Sequence, residues 1–224
     1  MNPRAIRILF MKDIFLSRRF LFAYLAAGMV CSVLTCVPER TVSFVGFILV
    51  MTVAIASGIH MIGHLLLSES IDQTRTFIMS MPVSLLDYSI GKIAVVLTTY
   101  LIPWGTMLVS TVICSFVLPW ANEGSVVVLP AIFLFLLAAF TLRLVTAVIS
   151  ESVGWTICIM VGCNVLLNVF LVKLFAIPEV KLISESDSLT WPTAVLQILT
   201  VEVLFIVALI VVAFAMQTRK RDLV

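Results

Sequence analysis

Few side chains in this sequence could do chemistry, and those few lie inside long apolar runs. His60 and His64 stand at i and i+4, a spacing at which two imidazoles on one helix face can hold a metal ion. No third ligand stands near them in the sequence, so packing or hydrogen bonding between helices is their plainer role. Glu202 falls about nine residues into the last apolar run, roughly 13 Å from its start at the helical rise of about 1.5 Å per residue. A bare carboxylate at that depth is expensive, so it must be paired, protonated or facing water. Asn164 and Asn168, four apart on one face of the preceding run, could supply hydrogen bonds. Two roles fit these three residues: polar contacts between helices, or the lining of a pathway. Arg143 has Glu151 across a short turn, the arrangement of a snorkelling side chain with a local ion pair, and Lys173 reads as a second snorkelling cation. No nucleophile–base pair and no complete ligand set emerges. The chain reads as a non-enzyme with no catalytic residue, no metal and no cofactor of its own.

The elements that must position these residues follow from composition. Of 224 residues, 62% are hydrophobic and 12% charged. A soluble domain carries about 25% charged residues, and a soluble fold could not hide this much apolar surface. Runs of this length predict an all-α polytopic membrane protein, since a transmembrane barrel would show short alternating strands instead. Six spans are predicted, at about 20–37, 42–67, 88–118, 127–149, 153–177 and 193–216, all in one transmembrane domain covering 1–224. Pro103, inside the third, predicts a kink or an interruption. The five cysteines, Cys31, Cys36, Cys114, Cys158 and Cys163, all lie in apolar runs and read as small buried thiols, not as a disulfide framework. No cleavable signal peptide is expected, because the first apolar run is long and lacks a small-residue cleavage site after a short core.

Lys and Arg set the orientation. With the N-terminus inside, Arg4, Arg7, Lys12, Arg18, Arg19, Arg75, Lys92, Arg143, Arg219, Lys220 and Arg221 are cytoplasmic. Only Arg40, Lys173 and Lys181 fall outside. That bias follows the positive-inside rule and puts both termini in the cytoplasm. The first 19 residues mix apolar and basic side chains and read as an interfacial helix on the inner leaflet, with a plain positive-inside anchor as the alternative. The net charge of +2 gives no electrostatic case for nucleic acid.

One polar segment interrupts this pattern: "ESIDQTRTFIMSMPVSLLDYSIGK", Glu69 to Lys92. Ser70 to Gln73 has the form of a capping box, and so does Ser84 to Asp87. Between them Ile71, Thr74, Phe77, Ile78 and Met81 share one helical stripe, while Glu69, Asp72 and Arg75 lie elsewhere, and Pro82 ends the helix. Lys92 sits at the re-entry into the third span, where its stem could lie along lipid and its ammonium reach water. A hairpin between spans needs only a few residues. This one is several times longer and capped twice, which points to a docking surface; a helix lying on the headgroups is the alternative.

The same segment resembles the signature of type-2 ABC exporter permeases. In those chains an acidic residue follows the second span, then a "slPvs" turn, then a "GK" entering the third span. Glu69, Ser80, Met81, Pro82, Val83, Ser84, Gly91 and Lys92 stand in those places, with Met81 for the usual leucine and Leu85 where arginine is frequent. "ISESVGW" from Ile149 to Trp155 resembles the family's turn between spans four and five, and "TRKRDL" resembles its cytoplasmic tail. The resemblance implies that 69–87 is a coupling helix. It would dock on a separate ATP-binding subunit through Glu69, Asp72, Arg75, Phe77, Ile78, Met81 and Pro82. ATP and magnesium would be held by that partner, and a second permease chain would complete a central pathway. It also implies the bacterial cytoplasmic membrane. This chain carries no G-x-x-x-x-G-K-[ST] motif of its own. An apolar pathway and an acidic outer loop fit an amphipathic cargo, such as a peptide, an antibiotic or a lipid-like molecule.

Three other functions compete. A haem-export type permease is of similar size. A gradient-driven transporter would need coupled intramembrane acids and usually an internal repeat, and here one deep carboxylate and no clear repeat are found. An intramembrane enzyme would need a partner for His60 and His64.

Overall fold

The computed structural model describes residues 3–67, 85–117, 123–150, 152–184 and 190–221. They are helical almost throughout: α1 (Pro3–Thr35), α2 (Arg40–Ile62) continued by a π-helical turn (Gly63–Leu67), α3 (Leu85–Val117), a 3₁₀ turn (Glu123–Val128), α4 (Leu129–Ser150), α5 (Val153–Ala176), α6 (Pro178–Ser184) and α7 (Thr193–Arg221). Six helical stretches are long and apolar enough to cross a membrane: Ile6–Thr35, Arg40–Leu67, Ile90–Val117, Val126–Ser150, Val153–Ala176 and Thr193–Met216. Five match the predicted spans to within a few residues.

The first does not. Residues 1–19 read as an interfacial helix, but α1 is one unbroken helix from Pro3. The reason is its partner. α1 and α3 run parallel and in register along their lengths. Ser110 Oγ donates to Ser32 Oγ at 2.8 Å, an offset of 78 residues. Cys36 and Cys114 are joined at the same offset, with Cα atoms 5.2 Å apart. One residue further out of step, a Cβ on Gly28 would fall 2.5 Å from Met107 Cε, so the helices approach where glycine leaves room. Lys92 meets Asp13 at the other end. The N-terminal turns of α1 are therefore held along the beginning of α3, and Gly91 of α3 faces Leu9 and Ile6.

The Cys36–Cys114 disulfide corrects the reading of all five cysteines as free buried thiols. Cys36 lies in the turn just past α1, and the parallel register delivers Cys114 to it. Cys31, Cys158 and Cys163 are free, and Cys158 is exposed. Pro103 does not interrupt α3, which continues to Val117. Proline removes one backbone donor. The helix is braced nearby by Trp104, whose Nε1 donates to the Phe133 carbonyl of α4 at 2.9 Å.

α4 is the central helix. In its most apolar 18-residue window 67% of residues are buried, against 11% for α7. α2 and α3 pack on one side of it, and α5 and α7 on the other. Two apolar clusters follow. One joins Met61, Leu65, Val96, Tyr100, Phe140 and Leu144, with the Tyr100 and Phe140 rings stacked at 3.7 Å. The other joins Val50, Met107, Ile132, Phe133, Leu136 and Leu174. The connection between α5 and α7 is not a bare loop. α6 packs on the 3₁₀ turn through fully buried Val180, and Glu179 Oε2 accepts the Ala194 amide at 3.4 Å.

Candidate functional sites in the helix bundle

The proposed coupling residues Glu69, Asp72, Arg75, Phe77, Ile78, Met81 and Pro82 lie outside the described residues. What is described is how the chain leaves α2 and re-enters α3 on either side of them. Lys92 was expected to reach water along lipid, but it is 3% exposed. Its Nζ lies 2.7 Å from Asp13 Oδ2 and 3.4 Å from the Leu65 carbonyl, where α2 ends in its π-helical turn. Asp13 is 2% exposed, and Lys12 Nζ approaches its other oxygen at 3.9 Å. Ser17, also buried, donates to the Asp13 carbonyl at 2.9 Å. A buried carboxylate and ammonium in contact satisfy each other where neither could be left alone. One lysine thus ties α1, α2 and α3 together beside residues 68–84.

His60 and His64 pack around one ring. Phe20 of α1 lies 4.4 Å from the His60 centroid and 4.9 Å from that of His64, and Tyr24 meets His60 edge-on at 5.7 Å. No group of three metal-ligating side chains occurs among the described residues.

Arg143 does not snorkel. It is 2% exposed and the largest fully buried side chain in the bundle. Its Nε donates to the Ala139 carbonyl at 3.0 Å, one turn back on α4. The position of α4 explains this: a helix enclosed on both sides offers its arginine no path along lipid. Glu151, its expected partner, lies outside the described residues. Lys173, in the last turn of α5, is exposed as a snorkelling side chain would be.

Glu202, Asn164 and Asn168 are not brought together. Asn168 is exposed and its Nδ2 donates to the Asn164 carbonyl at 2.9 Å, within its own helix. Glu202 is 8% exposed and faces the other way, into a cavity of about 540 Å³ between α4, α5 and α7. Neither of its carboxyl oxygens has a hydrogen-bond partner. The cavity exists because α5 and α7 both pack on α4 without closing on each other.

Sequence reasoning missed Asp13, which stood unremarked among basic neighbours. An aspartate between Lys12 and two apolar residues was the available signal. No family model, no curated protein and no solved structure matches the chain.

Proposed function

We propose that this chain is the membrane-spanning permease subunit of an ATP-driven exporter. It works as a pair with a second permease chain and takes its energy from a separate ATP-binding subunit docked on residues 69–87. The observation that carries this reading is the polar segment itself, doubly capped and with the amphipathic stripe and the P-V-S and G-K residues of type-2 ABC exporter permeases.

The packing supports it. A coupling element transmits work only if it is fastened to what must move. The chain enters the segment from the Leu65 turn and leaves it toward Lys92, and Lys92 holds both Leu65 and Asp13. A pull on 68–84 therefore reaches α1, α2 and α3 as one body. Such rigid-body tilting is a recognised way of switching between inward and outward states.

The orientation has a second support besides its basic residues. The parallel register puts the N-terminus and residues 68–84 at one end of α1 and α3, and the Cys36–Cys114 disulfide at the other. Disulfides persist on the oxidising side of a membrane. The segment then faces the cytoplasm, where ATP is.

Purification of the tagged chain from its native membranes in mild detergent tests the reading. A co-purifying protein with a Walker motif and vanadate-sensitive ATP hydrolysis is expected. A chain that transports in vesicles on an ion gradient alone, with no such partner, would refute it.

A further inference from the structure

The cavity facing Glu202 has a composition that selects its occupant. Its wall is hydrocarbon from Phe135, Ala138, Phe170, Ile198 and their neighbours. Cys163 adds one thiol, directed at the Ala139 carbonyl 3.9 Å away, and Gln197 one amide. No Lys, Arg or His lines it among the described residues. Against that wall stands one carboxyl group, more than nine-tenths buried and without a partner. Buried polar groups in native proteins are nearly always satisfied, and one that is not calls for an explanation. An acid inside a membrane protein marks a ligand or ion path by default.

We propose that this cavity binds a lipophilic cation, an ammonium or phosphonium on an apolar body, with Glu202 as its counter-ion. A neutral apolar ligand would fill the space and leave the carboxylate unmatched. A bare metal ion would match the charge but find one carboxylate where hard cations take about six to eight oxygens. A cation with an apolar body does both. At about 540 Å³ the space lies within the range of roughly 300–1,000 Å³ usual for drug-sized ligands. Its entrance is lateral, since Leu166 and Val201 on its rim are 54% and 65% exposed on the outer surface of the bundle. The cation could be a free amphiphile arriving through the leaflet or the amine of a membrane lipid. The site does not depend on the ATP-driven reading, because α4, α5 and α7 of this one chain build it.

The test is equilibrium binding of radiolabelled tetraphenylphosphonium to the chain alone in phosphatidylglycerol nanodiscs, with empty discs subtracted. Saturable binding is expected, at least tenfold weaker in Glu202→Gln and in Ala138→Phe, which fills the cavity. On the wild-type chain, unlabelled tetraphenylphosphonium should displace the label and neutral triphenylphosphine oxide should not. That comparison needs no variant to fold. Discs containing half phosphatidylethanolamine separate the sources: a weaker apparent affinity there assigns the site to a lipid amine, and an unchanged one to a free cation. Undiminished binding to a folded Glu202→Gln protein, or equal displacement by the neutral compound, overturns the proposal. Because no ATPase is present, failure here leaves the partner reading untouched, and failure to find a partner leaves this result standing.

Discussion

Lys92 Nζ and Asp13 Oδ2 lie 2.7 Å apart, both side chains almost wholly buried, on two parallel helices whose starts are 82 residues apart in sequence. Removing one partner strands the other charge, at a cost of about 3–5 kcal/mol. Asp13→Ala and Lys92→Met should each lower the thermal midpoint in detergent. The double variant should recover much of the loss, since replacing a buried pair by apolar groups is often neutral. A double-mutant cycle with no coupling would show that the contact does not hold the helices together.

The disulfide closes a loop of 78 residues between the far ends of the same two helices. Cys36→Ser should lower stability by about 2–4 kcal/mol. Thiol titration of the denatured, unreduced protein should find three groups, Cys31, Cys158 and Cys163, and reduction should release the other two. Five reactive thiols before reduction would refute the link.

Close helix approach depends on single glycines. A Cβ on Gly46 would fall 2.7 Å from the Thr35 backbone nitrogen, which cannot swing aside as a side chain can. Gly46→Ala should destabilise by about 1–3 kcal/mol as overpacking does. Gly162→Ala meets no atom within 4 Å and should be neutral or slightly stabilising, by up to about 1 kcal/mol of helix propensity. Thermal melts of the two variants side by side check this, and equal losses would contradict it.

The spans were legible because each is a long apolar run, and run length is a local property. What joins them is not local. Arg18 and Arg19 looked like a membrane boundary, so the helix before them was assigned to the surface; only its parallel register with α3 shows that it belongs to the bundle. The same register decides that Lys92 and Cys114 are paired. Arg143 was placed near water because it falls late in its run, and the enclosure of α4 by helices on both sides is invisible in that run alone. The depth of Glu202 was readable from the start of α7. Its isolation from Asn164 and Asn168 was not, because it depends on how α5 and α7 sit against α4.

The central claim is that residues 69–87 dock an ATP-binding subunit. Phe77 and Ile78 lie on the apolar stripe of that segment, so Phe77→Asp with Ile78→Asp should break docking and leave the bundle intact. The direct measurement is quantitative mass spectrometry of proteins that co-purify with the wild-type chain and with the double variant, at matched amounts and matched thermal midpoints. The account predicts a Walker-motif ATPase that accompanies the wild-type chain and falls at least tenfold in the variant. An ATPase recovered equally with both, or with neither, would contradict it.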